Sequence, residues 1–544
     1  MRLEEGARRR FLKSAGLIVP GLALASEIPT SAAKSAAEMG HPEYGTATAF
    51  YDVTAFGALG DGKTIDSHAI NRAIDQAAAA GGGTVYFRAG DYLCYSIWLK
   101  SKVAIYLDQG ATIVAADPSD AHGYDLVESN APWEDYQDYG HNHWHNSLIW
   151  GEGLEGVSIG GPGLIWGKGL SRGWGAGPKA EQPGVANKAI ALKNCRNVLL
   201  RDFSILHGGH FGILATGVDN LTIDNLKIDT NRDGMDIDCC RNVRISNCSV
   251  NSPWDDGICL KSSFALGYAR ATEMVTISDC LVTGSYEEGT LLDATWKRFA
   301  ADAKVPRTGR IKFGTESNGG FKNIAISNCV FDGCSGLAIE TVDGAVIEDV
   351  SVTNLTMRDV VGAPIFLRLG ARMRGPAGAA VGVLRRVILS NITCSCGSYS
   401  SGQGSRIGSI LAGIPGHPIE DLKLSDIMIV HAGGGTTDDA RRQLEEKEKE
   451  YPEPSMFGTT PAHGFFIRHA RGVEMNGIKI EYGNADLRPA FVLEDVEGAE
   501  FGRIKAAGDS GVPAFVLNQV RDFSVFRSKP VTDTEVDVAE KREI

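Results

Sequence analysis

A short template recurs along this chain of 544 residues, and its first three copies begin 23 and then 22 residues apart. Asn197–Ile205, Asn220–Ile228 and Asn242–Val250 each open on asparagine, continue with alternating apolar positions and carry a polar turn. The template returns from Met274, Asn323, Asp349, Arg386, Asp421 and Gly472, at wider spacings that imply inserted loops. A fixed period of this size is the mark of a solenoid, in which each unit buries its apolar face only against its neighbours. Period-two alternation with many β-branched residues makes the coils strands, so the expected fold is all-β, a parallel β-helix.

Coils wound this way lie about 4.7–4.9 Å apart, so residues at one offset form a file along the surface. Thirteen residues beyond each of the first three template starts stand His210, Asp233 and Asp255. The expectation is a file of one histidine and two aspartates, with Asp256 beside it.

A solenoid grows by adding coils, so length alone asks for no second core. The expected organisation is a single β-helix over residues 48–544, after an export signal at 1–33 and a linker at 34–47. The signal is read from Arg8-Arg9-Arg10-Phe11-Leu12-Lys13, the apolar run that follows, and its resemblance to bacterial twin-arginine leaders. Such a leader implies a periplasmic or secreted protein. Sixty-six glycines suit the many tight turns between short strands.

A net charge of −13 argues against nucleic acid as a partner, because phosphate binding needs a basic surface. It leaves an anionic glycan open, since local basic residues can dominate a cleft. Beyond the leader no stretch approaches the ~18 apolar residues of a membrane span. Cys248, Cys280 and Cys329 share one template offset, which favours an interior stack of small apolar groups over disulfides.

Before the repeats, Tyr51–Gly62 reads as a first strand and turn. A helix follows, with Asp66 or Ser67 as its cap and Ile70, Ala73, Ile74 and Ala77 on one face. Gly81-Gly82-Gly83 ends it, and its apolar face is expected to cover the open end of the solenoid. The largest insertions are 285–309 and 431–463, the second with a short solvated helix between Asp438 and Tyr451. Long loops in a regular solenoid tend to lie on the binding face.

A single Asp-Gly is usually a turn. Three carboxylates within two coils repel one another, and repulsion raises one pKa while another group stays ionised. That is what a general acid and a general base require, and glycoside hydrolysis uses such a pair without metal or cofactor.

With Asn231-Arg232-Asp233 and Asp255-Asp256 one coil apart behind a capping segment, the chain resembles glycoside hydrolase family 28, the polygalacturonases and rhamnogalacturonases, over roughly residues 48 to 510. The resemblance implies a right-handed parallel β-helix and inverting hydrolysis of a pectic or related uronate- or rhamnose-containing polysaccharide or oligosaccharide. It implies Asp255 as general acid, with Asp233 and Asp256 positioning and activating water. The family's Asn-Thr-Asp carries arginine here in place of threonine. Its Gly-His-Gly is replaced by Thr308-Gly309-Arg310, and its Arg-Ile-Lys by Ala338-Ile339-Glu340. Arg310, Lys312, Lys261 and Arg368 are the candidates to supply the missing positive charge.

His210 is a candidate for orienting Asp233 or contacting sugar hydroxyls. His141, His143 and His145 alternate in strand period and are expected to line a polar subsite wall rather than bind a metal. Trp254, together with Trp133, Trp144 and Trp296, is a candidate for stacking on sugar faces. Two other functions fit the same fold: a polysaccharide lyase with calcium and an Arg or Lys base, and a catalytically silent glycan-binding solenoid.

Overall fold

The computed structural model describes residues 50–544 apart from 120–121, 130, 139, 174–181 and 398–405. The expected leader and linker lie outside the described residues.

The template's opening residue explains the template. Asn197, Asn220 and Asn242 all sit at φ of 55–56°, the left-handed region that asparagine tolerates better than most residues. Their amides form a ladder, Asn220 donating to Asn197 at 2.9 Å and Asn242 to Asn220 at 2.6 Å. Each copy therefore turns a corner at its first residue and runs straight through the alternating stretch.

Those stretches pair in parallel, coil upon coil. Val198, Leu221, Val243, Val275 and Ile324 are successive register partners on one face. Ile205, Ile228, Val250, Val282 and Phe331 are partners on a second. All are buried and belong to one apolar cluster running from Val53 to Ala539. The chain is a parallel β-helix, almost all β. Cys248, Cys280 and Cys329 lie buried inside it as free thiols.

The third face carries the site. Its strands are β1 (Phe211–Thr216), β2 (Asp233–Asp238), β3 (Ile258–Ser262), β4 (Ile311–Ser317) and β5 (Ser335–Thr341). Ile213, Met235, Ile258 and Ile311 form its inward file. Its outward residues are almost all buried as well, because loops cover them.

Helix α1 (Ser67–Ala79) buries Ile70, Ala73, Ile74 and Ala77 against the first coils. Asp66 stands at its N-cap but does not cap it. Its carboxylate instead accepts from the Leu59 and Gly60 amides at 2.8 and 3.0 Å, closing the preceding turn. The opposite end is closed by Thr534–Glu543, which pairs antiparallel with Phe515–Phe526, an ending the repeat does not announce. Between Asp438 and Tyr451 the helix is a single turn, Thr437–Ala440. No helix among the described residues is long and apolar enough to cross a membrane.

Candidate active site

Phe211 pairs with Asp233, and Met235 with Ile258. The Gly234 amide donates to the Asp256 carbonyl at 3.0 Å, so the neighbour of Asp233 in the ladder is Asp256. The expected file of His210, Asp233 and Asp255 is thus corrected. Two files run side by side, Phe211–Asp233–Asp256 and His210–Arg232–Asp255. The reason is the Thr230–Arg232 turn, one residue shorter than the turns before and after it: Asp229 to Asp233 is four steps, against five from Leu206 to Phe211 and five from Asn251 to Asp256, which defeats a constant offset.

The glycines after Phe211 and Asp233 are steric necessities. A Cβ on Gly234 would lie 2.4 Å from the Gly257 carbonyl oxygen and 2.5 Å from Val250 Cγ1, and one on Gly212 would lie 2.5 Å from the Gly234 carbonyl oxygen. At this corner the coils approach too closely for any side chain, and the aspartates just before it are aimed outward.

The three aspartates come together. Asp233, Asp255 and His210 each place one polar atom within 4.8 Å of the others. Burial and then the Asp255 charge push Asp233 well above the usual carboxylate range. Burial and then Asp256 raise Asp255, against the pull of Arg232. Burial also works against ionised Asp256, but Lys312, Arg310 and Lys261 outweigh it and hold that carboxyl below its ordinary value. Asp256 accepts from Arg310 Nε at 2.9 Å and lies 3.4 Å from Lys312 Nζ. The site therefore holds one carboxylate secured as the ion beside two whose pKa values are raised.

His210 stacks flat on Phe211 and lies 3.8 Å from Asp233. Burial, then Arg232, drives its pKa well down, so it is a neutral imidazole. Lys261 reaches Glu316 at 2.9 Å and Asp236 at 3.8 Å. Trp254 is 37% exposed beside Asp255.

Arg368 does not reach the site. It is buried and donates to the carbonyls of Gly413 at 2.9 Å, Glu446 at 2.7 Å and Lys447 at 3.2 Å, which anchors the 431–463 insertion. The three histidines do not share a wall either, because their segment forms no strand. His141 faces Asp236 at 3.2 Å, His143 contacts Glu134 at 2.8 Å, and His145 pairs with Glu152 at 3.1 Å and stacks on Trp150. Trp144 is buried, with its Nε1 donating to Thr216 at 3.1 Å, and Trp133 packs on Phe264. Of the tryptophans proposed for stacking, Trp254 and Trp296 keep an exposed face.

Several members of the cluster escape a reading of motifs. Asp236 and Glu316 occupy outward positions of β2 and β4, and both are fully buried. Their signal was a charged residue set within strands whose neighbours alternate apolar. Glu453 is brought in by the long insertion to pair with Arg310, and it also lies 3.3 Å from Lys312. Glu340 is buried without a hydrogen-bond partner, 3.8 Å from Lys312, and burial pushes its pKa up to about 8.

Family models match two stretches, a right handed beta helix region at residues 184–295 and the rhamnogalacturonase A/epimerase, pectate lyase-like family at residues 50–141. A probable polygalacturonase of Vitis vinifera is 24% identical over 321 residues, 56% of this chain. The chain spans 60% or less of the length of the curated relatives it matches. Among solved structures, a family 28 exopolygalacturonase of Yersinia enterocolitica superposes with a TM-score of 0.56 at 17% identity, over 85% of this chain and 78% of that one. An exopolygalacturonase of Thermotoga maritima gives 0.52 at 16% identity, over 91% of this chain and 94% of that one.

In fold this chain resembles the family 28 exopolygalacturonases. Its β-helix is right-handed, and the resemblance read from Asp233 and the Asp255-Asp256 pair holds at the level of fold. Against that family's motifs, Arg232, Arg310 and Glu340 are the departures that touch the aspartates or their cations directly.

Proposed function

We propose that this family 28-like chain is a glycoside hydrolase that cuts a pectic or related polysaccharide by acid and base catalysis. The observation that carries this reading is the opposed environment of two adjacent carboxyls. Two buried cations hold the Asp256 carboxyl below its ordinary pKa, while burial and the Asp256 charge raise that of Asp255, one residue away and partly open. Asp255 is assigned to protonate the leaving glycosidic oxygen. Asp256, with Asp233, orients and deprotonates the attacking water. Neutral His210 stands beside Asp233 as a contact for a sugar hydroxyl. Trp254 offers a face for a pyranose ring.

The lyase alternative needs an unencumbered Arg or Lys to take a proton from carbon. Arg310 and Lys312 are both committed to Asp256 and Glu453, which counts against that role.

The deciding experiment incubates the purified chain with a panel of pectic polysaccharides and oligosaccharides. A hydrolase releases reducing ends with no new ultraviolet absorbance and keeps its activity in chelator. An unsaturated product lost on chelation would establish the lyase. Binding without turnover across the panel would leave a silent solenoid. Export by the twin-arginine route is part of the same proposal, supported by the Arg8-Arg9 run. A fusion of residues 1–33 to a reporter, moved across the membrane only while both arginines are intact, tests it.

A further inference from the structure

The cations around the aspartates are already spoken for. Arg310 pairs with Asp256 and Glu453, and Lys312 lies 3.4 Å from Asp256, 3.3 Å from Glu453 and 3.8 Å from Glu340. Lys261 holds Glu316 at 2.9 Å, Arg374 holds Glu316 at 2.9 Å, Arg372 holds Asp343, and Arg232 holds Asp255 at 2.7 Å. A uronate entering here finds every one of these six side chains facing a carboxylate of the protein.

Arg310 and Lys312 are almost fully buried, and the partner they share, Glu453, is one-third exposed. Glu453 comes from an insertion that Arg368 pins in place, so it does not fall on the pair by chance of a mobile side chain. A cavity of about 360 Å³ borders Arg310 and Glu453, walled by Pro306, Val361, Ala363, Ile407 and Pro454. Apolar walls over a neutralised floor suit the C–H face of an uncharged sugar better than a carboxylate, which needs a charged fork to replace its water.

We infer that the cavity bordered by Arg310 and Glu453 accepts a neutral glycosyl residue, and that Glu453 sets this preference by occupying the place a substrate carboxylate would take. The inference rests on the hydrolase reading for its biological meaning, but its test does not need turnover. Trigalacturonate and its carboxyl-reduced counterpart, galactotriose, differ only in the charged group.

Calorimetric titration of both trimers into the full chain should show galactotriose bound more tightly, by about tenfold, the equivalent of one charge-assisted hydrogen bond withheld. In Glu453→Gln that ratio should shrink or invert, because trigalacturonate gains Arg310 and Lys312. Tighter binding of trigalacturonate by the unmodified chain would overturn the inference. So would a ratio unchanged in Glu453→Gln, or no binding of either trimer. If the ratio behaves as expected while no pectic substrate is cut, the hydrolase reading fails alone.

Discussion

Arg232 Nη2 lies 2.7 Å from Asp255 Oδ2, while Nη1 of the same guanidinium lies 3.4 Å from His210 Nδ1. The residue that replaces threonine in the family's first motif thus sits on the carboxyl assigned as general acid. A cation there favours the ionised form, so Arg232 works against the proton that Asp255 must donate. Replacing it with threonine should raise the Asp255 pKa and move the alkaline limb of the kcat/KM profile to higher pH. A limb that stays in place would show that Arg232 does not tune the acid.

Asp255→Asn removes a donatable proton while keeping shape. Turnover should fall about 10²–10⁴-fold, the usual contribution of general acid catalysis, with the far-ultraviolet circular dichroism unchanged. Near-normal turnover would reject the assignment.

Asp256 is expected to guide water rather than attack the sugar. A carboxylate fixed by Arg310 and Lys312 and almost fully buried is a poor nucleophile. Proton NMR of the first-formed product should therefore show the inverted anomer, although Asp233 and Asp255 approach within 4.8 Å, nearer the ~5 Å spacing common in retaining enzymes. A retained anomer would transfer the nucleophile's role to one of the three aspartates.

Arg368→Ala should loosen the insertion that carries Glu453. Three backbone carbonyls would lose a buried charged donor, at a cost of about 3 kcal/mol. The expected readouts are a lower Tm and faster proteolytic cleavage between residues 434 and 463. If neither changes, the anchoring role is wrong.

Glu340 offers a pH test of stability. Its folded pKa, about 8, lies above the ordinary 4.5 because burial penalises its charge. The folded state therefore binds more protons than the unfolded chain between those values. The contribution of Glu340 to stability is full below about pH 4.5 and is lost as pH rises through 8. Denaturant midpoints should fall over that window, and Glu340→Gln should flatten the fall. An identical slope in the variant would remove Glu340 as the cause.

The coil architecture was legible because its cause is local. Asparagine at a left-handed corner and an apolar residue at every second position repeat whatever surrounds them, so Asn197, Asn220 and Asn242 announced the solenoid. The meeting of Asp233, Asp255 and Asp256 followed from the period. Their register did not, because a turn one residue shorter at Thr230–Arg232 shifts partners without disturbing the pattern on either side. His141, His143 and His145 misled for a related reason. Alternation predicts a shared face only in a strand, and that segment makes none. Arg368 looked like a ligand for a carboxylate, but its partners are backbone carbonyls of a loop that no periodicity places. Glu453 was invisible on the same ground, since its partner Arg310 is 143 residues away.

The insertion bearing Glu453 leaves the β-helix after one strand and returns at the next, so its length and sequence can change without moving any coil. The aspartates belong to the ladder and cannot drift without breaking register across several turns. Chemistry and selectivity are therefore inherited separately in this molecule: the winding fixes the cut, and an exchangeable strap decides what is offered to it. Swapping that strap between chains of the same winding should transfer preference as a unit.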